Sequence, residues 1–538
     1  MRRFGHLSHR ERERTSVRTL IMSTSAAAPI AVPGLRRNMV TICAMTATIM
    51  QALDTTIANV ALPYMQGTLS ASQDQINWVL TSYIVAAAIM TAPVGWIANR
   101  FGRKRIFILC SGGFTIASVL CGLAQDINQM VLFRLLQGVF GAALVPLSQA
   151  VMLDSYALHE RAKAMSIWGM GVMMGPIMGP SLGAWLTETY SWHWVFFVNL
   201  PFGFITVLGL IVFLDETRSD PQLRFDWFGF AALALAIGSL QLALDRGEQL
   251  GWLESNEIVA EFIVSAIGFY YFFAHSFTTS RPFIQFALFA DRNFITGCVF
   301  MAVMGLVLYS TMALASPYLQ NVIGYPIITA GVLLASRGCG TFVAMMLVGR
   351  LMRYIEARTL IVIGLLLTAY SLFQMTGWTD QTGVPEIITI SLIQGFGFGL
   401  VFVPLSTVAF LTLSSHLRTD GTSMLTLMRN VASSIGISIV IAQLTEGSRR
   451  VRSILVEHVN PFNHAMQMPD VSGMINMNSD TGRAMADAMV GMQAQIIAFS
   501  QDYQMVMIFI LCTIPFAIMI GSTKASLRNT AADHAVME

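Results

Sequence analysis

The sequence predicts an all-α protein that crosses a membrane many times. Of its 538 residues, 55% are hydrophobic and only 12% are charged, whereas a soluble globular chain is typically about 25% charged. The hydrophobic residues gather in about fourteen windows, and about 20 residues suffice to cross a hydrocarbon core roughly 30 Å thick. Positive charge is concentrated in alternate loops between these windows. Composition, window length and charge pattern therefore all indicate a polytopic membrane protein.

Each apolar window is predicted to form one membrane helix. In chain order the windows are residues 39–60, 76–98, 105–124, 129–151, 163–186, 193–214, 226–245, 257–278, 294–316, 326–349, 359–378, 386–411, 421–444 and 503–522.

The loops predict the orientation of these helices. Loops after odd-numbered helices, up to the eleventh, carry only Arg246. Loops after even-numbered helices carry Arg100, Arg103, Lys104, Arg105, Arg161, Lys163, Arg218, Arg224, Arg281, Arg292, Arg350, Arg353, Arg358 and Arg418. By the positive-inside rule the second set is cytoplasmic. Both terminal tails, residues 1–37 and 524–538, are then cytoplasmic too. The polar segment Thr445–Asp502 lies outside, since long loops translocate largely regardless of charge.

Several classes of function find no support in the sequence. The six cysteines all fall within apolar runs and form no C-x-x-C pair, so neither a disulfide framework nor a metal site is predicted. No H-E-x-x-H or G-x-x-x-x-G-K-[ST] motif is present. A net charge of +2 gives no reason to expect a nucleic-acid partner. We therefore predict no cofactor and no enzymatic activity.

Two pairs of similar segments indicate an internal repeat. "LLQGVFGAALVPLSQA" in the fourth window matches "LIQGFGFGLVFVPLST" in the twelfth, and "PVGWIANRFGRKR" has a weaker counterpart in "LVGRLMRYIEAR", both about 255 residues later. Parallel repeats with a site near the midplane between them are a known transporter architecture. We predict a six-helix bundle at 38–215, two inserted helices at 216–280, and a second six-helix bundle at 281–523 that includes the outer segment 445–502.

The motifs resemble those of the major facilitator superfamily. "GWIANRFGRKR" resembles its loop between helices 2 and 3, "FRLLQGVFGAA" its fourth-helix motif, and "GPIMGPSLGAW" the fifth-helix motif of its exporters. "LDTTIANVALP" is similar to the first helix of the fourteen-helix drug:proton antiporters. "WHWVFFVNLPFG", "LDRGEQLGWLES" and "VNPFNHAMQ" narrow the resemblance to EmrB-type multidrug exporters of Gram-negative bacteria.

This resemblance implies a proton-coupled exporter of hydrophobic and amphipathic compounds in a bacterial inner membrane. It also implies a periplasmic membrane-fusion adaptor similar to EmrA and an outer-membrane duct similar to TolC. The alternatives are a selective exporter of one metabolite or siderophore on the same fold and, more remotely, a membrane-embedded enzyme or receptor. Those last two would require a catalytic cluster or an extramembrane domain.

The resemblance implies a gating role for the segment "GWIANRFGRKR". Its residues for this role are Gly95, Asn99, Arg100, Gly102, Arg103 and Lys104. The alternative is that the cations serve only to orient the chain. Asn99 stands where the family usually has an aspartate, which puts the strength of the gate in question.

A stripe of small residues marks the fifth window. Gly171, Gly175, Gly179 and Gly183 recur every four residues and predict close helix packing. Pro176 and Pro180 are predicted bend points on which the two halves rock. The two interpretations are compatible.

Buried polar residues give the candidate proton site. A carboxylate near the centre of a membrane is costly and so marks a functional-site hypothesis. Asp54 and Arg134 are predicted at similar depth, with Asp54 as proton carrier and Arg134 as its modulator, because burial disfavours the charged carboxylate while a nearby guanidinium favours it. The alternative is a static ion pair. Gln137, Arg337 and Arg429 are expected to line a cavity; for the two arginines the alternative is a structural clamp onto backbone carbonyls.

The outer segment contains a predicted docking helix for the adaptor. The stretch "DTGRAMADAMVGMQAQIIAFSQ" places Met485, Met489, Met492 and Ile496 at helical spacing. The alternative is a helix that lies flat on the membrane surface.

Overall fold

The computed structural model describes residues 34–217, 219–279, 282–414, 417–459 and 479–519. Within these ranges the regular structure is helical throughout. Most of the predicted N-terminal tail, the whole C-terminal tail and residues 460–478 of the predicted outer segment lie outside the described residues.

The helices follow the predicted order and are numbered here along the chain. They are α1 Gly34–Thr68, α2 Gln73–Thr91 with Val94–Phe101, α3 Arg103–Gly122, α4 Ile127–Ser155, α5 Arg161–Thr189, α6 Trp194–Phe213, α7 Trp227–Leu250, α8 Asn256–Thr278, α9 Arg292–Val322, α10 Ile327–Leu351, α11 Ala357–Met375, α12 Val384–Ala409, α13 Arg418–His458 and α14 Asp480–Thr513.

Length and composition make these helices membrane spans. Within the described part of the chain, twelve are long and apolar enough to cross a bilayer, and the two segments of α2 together make a thirteenth. The glycine-rich α5, 29 residues long, occupies the remaining predicted position. The chain is a polytopic helical membrane protein, as predicted.

One predicted helix is bent, and another is confirmed as a helix but belongs to a longer one. The second window is not one straight helix, because α2 bends by 56° at Ala92–Pro93, where the proline cannot donate a backbone hydrogen bond. The predicted docking helix is not a separate element either. It forms the first part of α14, which runs unbroken from Asp480 to Thr513. Hydropathy predicted the apolar part of α14 from residue 503 onward, but the polar residues 480–502 before it belong to the same helix.

The packing of the helices repeats after eight helices. In the first set α1 packs on α4, α5 and α6, α2 on α4, and α3 on α4 and α6. In the second set α9 packs on α12, α13 and α14, α10 on α12, and α11 on α12 and α14. The correspondence is the one expected of two parallel six-helix bundles, called here the first half and the second half.

The halves meet along two seams. α5 packs on α10 along one seam, and α2 packs on α13 along the other. The inserted helix α7 packs on α8, on α2 and on α13, so it contacts both halves.

The predicted glycine stripe of α5 faces α1. A Cβ atom added at Gly175 would lie 2.2 Å from the carbonyl oxygen of Ala52, and one at Gly179 would lie 2.0 Å from Thr56 Oγ1. Gly171 and Gly183 also face α1 but with more room, since added Cβ atoms there would lie 3.0 Å from Met45 Sδ and 2.9 Å from Ile57 Cγ1. These glycines therefore permit a helix contact that a side chain would block.

The opposite face of α5 meets the second half. Ile177 and Pro180 approach Gly338 and Gly331 of α10. The helix continues through both predicted bend points without a break, although the side chain of Pro176 lies outside the described residues. α5 is therefore the element that links α1 to the second half.

Candidate functional site

The candidate proton site is a cluster of four buried polar side chains, called here the buried charge site: Asp54, Arg134, Gln137 and Asn199. Asp54 comes from α1, Arg134 and Gln137 from α4, and Asn199 from α6. All four are 0% exposed. A one-turn spacing on α4 places Arg134 and Gln137 on the same face of that helix.

Arg134, Gln137 and Asn199 all donate to the Asp54 carboxylate. Arg134 Nη1 donates to Oδ2 at 2.7 Å. Gln137 Nε2 donates to Oδ1 at 2.7 Å and Asn199 Nδ2 donates to the same oxygen at 3.2 Å. Asp54 thus receives three hydrogen bonds, one from a cation and two from neutral amides. The first-helix carboxylate and the fourth-helix arginine, predicted at similar depth, lie in direct contact.

The guanidinium of Arg134 has further partners besides Asp54. Its Nε donates to the carbonyl of Val79 on α2 at 3.0 Å, and its Nη1 also donates to Gln137 Oε1 at 2.8 Å. It lies 4.6 Å from the ring centroid of Tyr83 and 5.5 Å from that of Phe196. Aromatic faces attract cations, so Arg134 keeps stabilising contacts that do not depend on the charge of Asp54.

The contacts of Arg134 differ between the two charge states that are open to the Asp54 carboxyl group. An ionised Asp54 is matched by one guanidinium charge. A protonated Asp54 loses that attraction, while Arg134 retains a carbonyl, an amide oxygen and two rings. Protonation of Asp54 therefore leaves the buried Arg134 guanidinium with hydrogen bonds and ring contacts but without a counter-charge, which is costly in a low-dielectric site.

A second polar cluster lies where the first and second halves meet at the basic end of the molecule, the end formed by residues 99–105 and the first turns of α5 and α13. It is called here the gate cluster, and its members are Asn99, Arg103, Asp154, Arg418 and Asp420. Asp154 accepts a hydrogen bond from Arg103 of its own half and from Arg418 of the second half. The cluster therefore joins the halves through one shared carboxylate.

Asn99 also contacts the second half directly. Its Nδ2 donates to Asp420 Oδ2 at 3.1 Å, and Arg103 Nη2 donates to Thr419 Oγ1 at 2.8 Å. The carboxylate that the family resemblance expects at position 99 is thus supplied across the seam by Asp420. The neutral asparagine at 99 can donate to this carboxylate, whereas an ionised aspartate there would repel it.

The other predicted gate residues support this contact. Gly95 lets α13 approach, since a Cβ there would lie 2.7 Å from the Cα of Asp420. Gly102 has φ +95°, a conformation that favours glycine, and so makes the turn before α3. Lys104 Nζ donates to the carbonyl of Ile211 at 2.8 Å, within the first half. Arg100 lies in the last turn of α2.

Arg337 and Arg429, both in the second half, are not part of either cluster. Arg337 is 6% exposed, and its Nη1 donates to Thr311 Oγ1 at 3.3 Å. Arg429 contacts the neighbouring Asn430 at 3.5 Å. Neither forms an ion pair with a described carboxylate, and the predicted clamp onto backbone carbonyls does not occur among the hydrogen bonds of the described residues.

Four residues of these clusters were not predicted as site residues. Arg418 was named only among the loop charges that orient the chain. Asn199 lies in "VNLPFG", which was used only for the family resemblance. Asp154 and Asp420 lie at helix ends close to basic loops, where acidic residues are common and carry no signal of their own. The available indication for Asp154 and Asp420 was their position. Each is a carboxylate at the end of a membrane helix, in a molecule whose basic loops share one face.

The sequence comparisons identify the family. The model of the Major Facilitator Superfamily matches residues 44–437. The chain belongs to this superfamily. It is 34% identical over 434 residues to the "Multidrug export protein EmrB" of Escherichia coli strain K12, covering 80% of this chain and 84% of that protein. It is 32% identical over 425 residues to the "Fatty acid resistance protein FarB" of Neisseria gonorrhoeae, covering 79% and 84%.

Solved structures of the superfamily share the fold. The proton:xylose symporter XylE aligns with a TM-score of 0.56 at 13% identity, covering 89% of this chain and 96% of that one. The human organic anion transporter MFSD10 aligns with a TM-score of 0.54 at 13% identity, covering 89% and 100%. The predicted fold class and the EmrB-type resemblance are confirmed.

Proposed function

We propose that the chain is a proton-coupled secondary exporter of hydrophobic and amphipathic compounds, and that it works by alternating access. The family and the multidrug exporters among its relatives support the reaction class. The observation that carries the coupling is the buried charge site, in which a fully buried carboxylate has one cationic partner and is held by three helices of one half.

Asp54 is the proposed proton carrier and Arg134 its modulator. Proton binding removes the negative charge and so weakens the Arg134 contact, which frees α1 from α4 by the loss of a charge-assisted hydrogen bond. Proton release restores it. The proton shifts the conformational equilibrium because Asp54 binds it more tightly in one conformation than in the other.

α5 is the proposed route from this site to the second half. Ala52 and Thr56, each two residues from Asp54, contact the glycine face of α5, and Thr56 Oγ1 donates to the carbonyl of Gly175 at 3.1 Å. The other face of α5 packs on α10. A displacement of α1 is therefore transmitted to the facing half through one continuous helix.

The gate cluster is the proposed lock of the basic end, which the positive-inside rule places in the cytoplasm of a bacterial cell with the protein in its inner membrane. With Asp154 and Asp420 paired across the seams, this end is closed. Rocking of the halves must break these contacts before the cytoplasmic side opens.

The long α13 and α14 supply the proposed docking surface for a periplasmic adaptor of the membrane-fusion type, which would connect to an outer-membrane duct. α13 runs to His458 and α14 begins at Asp480, and these extensions are packed together, with Gly447 of α13 facing Ala498 of α14. α14 is continuous and Met485, Met489 and Met492 are exposed, which favours docking over a helix lying flat on the membrane. Ile496, the fourth residue of the predicted face, is buried.

The test is transport in proteoliposomes with an imposed pH gradient. Asp54→Asn keeps the size of the side chain but cannot ionise, so we expect loss of gradient-driven efflux with the protein still folded and inserted. Asp380→Asn, in the exposed turn between α11 and α12, is the matched control and should transport normally. Wild-type efflux by Asp54→Asn at equal protein content would refute the assignment of the carrier. Efflux that requires ATP and ignores the gradient would refute the proposed function.

A further inference from the structure

Asp502 is a buried carboxyl group of the second half that belongs to neither cluster. It lies on α14 and is 0% exposed, and neither of its two oxygens has a hydrogen-bond partner. Asp54 in the first half is equally buried but receives three hydrogen bonds. An isolated carboxylate in an apolar site is so costly that the group takes up a proton instead. The surroundings of Asp502 therefore favour the neutral acid.

Asp502 lies towards the end of the molecule opposite the basic end. Two residues before it, Ser500 Oγ donates to the carbonyl of Thr376 at 2.7 Å, just past the end of α11. Since α11 begins beside the basic loops, its last residues lie on the other side, which the positive-inside rule makes the outside. Asp502 is thus closer to the outer solution than to the cytoplasm.

Aromatic rings of α9, α14 and the turn after α11 surround this part of α14. Phe499, one helical turn before Asp502, packs edge-on against Tyr318 of α9, with ring centroids 5.3 Å apart. The next residue, Tyr503, packs edge-on against Trp378 at 6.1 Å. These contacts keep water away from the carboxyl group.

The charged and titratable groups on the adjoining helices do not neutralise Asp502. Arg337 of α10 donates to Thr311, the Tyr318 hydroxyl donates to a backbone carbonyl, and the Tyr503 hydroxyl is buried without a partner. The remaining charged side chains nearby in sequence on α12, α13 and the turn after α11 are exposed: Asp380, Glu386, Glu446, Arg449 and Arg450. Ionisation of Asp502 therefore requires a structural change that admits water.

The end of α9 is an element that can make this change. Its last turn, Tyr318–Val322, is π-helical and directly follows Pro317. Turns of this kind are rare and occur frequently at functional sites. The turn begins with the residue that packs against Phe499, so a movement of this turn away from α14 opens a path for water to Asp502.

We propose that Asp502 is a second proton-binding residue, which is a neutral acid when the π-helical turn of α9 packs on α14 and is ionised when that turn moves away. Ionisation breaks the carboxyl O–H bond and transfers the proton to water. The proton thereby stabilises the packed position of the turn. This site goes beyond the proposed carrier Asp54, because it lies in the other half and acts without an exported compound.

Infrared spectroscopy of the purified full chain in liposomes tests the protonation state. The difference spectrum between the wild type and Asp502→Asn at neutral pH should contain the C=O stretching band of a protonated carboxyl group. Asp380→Asn, in the exposed turn between α11 and α12, is the matched control and should remove only the bands of an ionised carboxylate. Loss of ionised carboxylate bands in Asp502→Asn would overturn the proposal.

A pH series tests the link to the turn of α9. Spin labels are placed at the exposed positions Asn321 and Gln495, in a background without the native cysteines, and their distance is followed by electron paramagnetic resonance. The neutral acid prevails at low pH, so the packed position should be lost as pH rises, with the ratio of the two positions changing at most about tenfold per pH unit for one proton. An unchanged distance in the wild type would overturn the proposal.

The same variants assign the pH dependence to its group. Asp502→Asn cannot ionise and should stay in the low-pH position throughout, while Asp380→Asn should follow the wild type. A pH dependence in Asp502→Asn equal to that of the wild type would overturn the proposal. Since neither measurement needs a gradient or an exported compound, failure here with intact gradient-driven efflux would leave the proposed function standing.

Discussion

The close contact between α1 and α5 gives a sharp test of the route from the proton site to the second half. Gly175→Ala adds one methyl group 2.2 Å from the Ala52 carbonyl oxygen, about 0.8 Å inside the 3.0 Å that real Cβ contacts essentially never go below. The obstacle is backbone, which cannot rotate away. α1 must move, and it carries Asp54 two residues further along.

The expected loss of stability is measured against a matched control variant. Gly112→Ala on α3 places its methyl group 3.8 Å from Val207, an ordinary contact. Both changes gain about 1 kcal/mol of helix propensity, so this term cancels between them. The difference in free energy of unfolding is then the overpacking cost, about 1–3 kcal/mol against Gly175→Ala.

The assay has two measurements. SDS titration in mixed micelles gives the stability of both variants, and gradient-driven efflux in proteoliposomes gives their activity. We expect Gly175→Ala to lose stability and efflux together, with Gly112→Ala close to the wild type or slightly more stable. Equal stability and efflux in the two variants would refute the contact, and lower stability with normal efflux would refute the coupling route.

Two further predictions concern the gate cluster and the outer helices. Asp154→Asn leaves Arg103 and Arg418 facing each other and should favour opening of the basic end by about 1 kcal/mol, since Asp154 is partly exposed. Spin labels at Phe101 and Tyr354, in a background without the native cysteines, should then move apart. An unchanged distance distribution would contradict the proposed lock. Serine at three exposed methionines of α14 should abolish resistance in cells and spare efflux in proteoliposomes, whereas loss of both would argue against docking. Those methionines are Met485, Met489 and Met492.

Hydropathy was sufficient to predict the fold because the bilayer fixes both the length and the composition of a spanning helix. Hydropathy was insufficient to predict the polar first part of α14. Residues 480–502 are polar enough to end a hydropathy window, yet their alanine, methionine and glutamine content favours helix, so α14 continues through them. The bend in α2 was equally invisible to a window average, although Pro93 marked the place.

The candidate site was predictable in part. Asp54 and Arg134 stood out because ionisable residues in apolar runs are rare and expensive. Asn199 did not stand out, because burying a neutral amide in a membrane helix costs less than burying a charge. Its part in the site follows only from the residues that it contacts. Asp420 could not be assigned to Asn99 from sequence, because 321 residues separate them and only the meeting of the two halves makes them neighbours.

The inserted helix α7 makes the two seams mechanically different. It is tied to the second half by Gln241 Nε2, which donates to Ser434 at 2.9 Å, and by Ser438, which donates to the Leu244 carbonyl at 2.7 Å. It is tied to the first half by the Thr81 hydroxyl, which donates to Asp245. Separation of α2 from α13 must therefore break or lengthen the hydrogen bonds that α7 makes to both helices. Among the described helices, none joins α5 to α10 in this way. At the level of these hydrogen bonds we therefore expect α5 to separate from α10 more easily than α2 separates from α13.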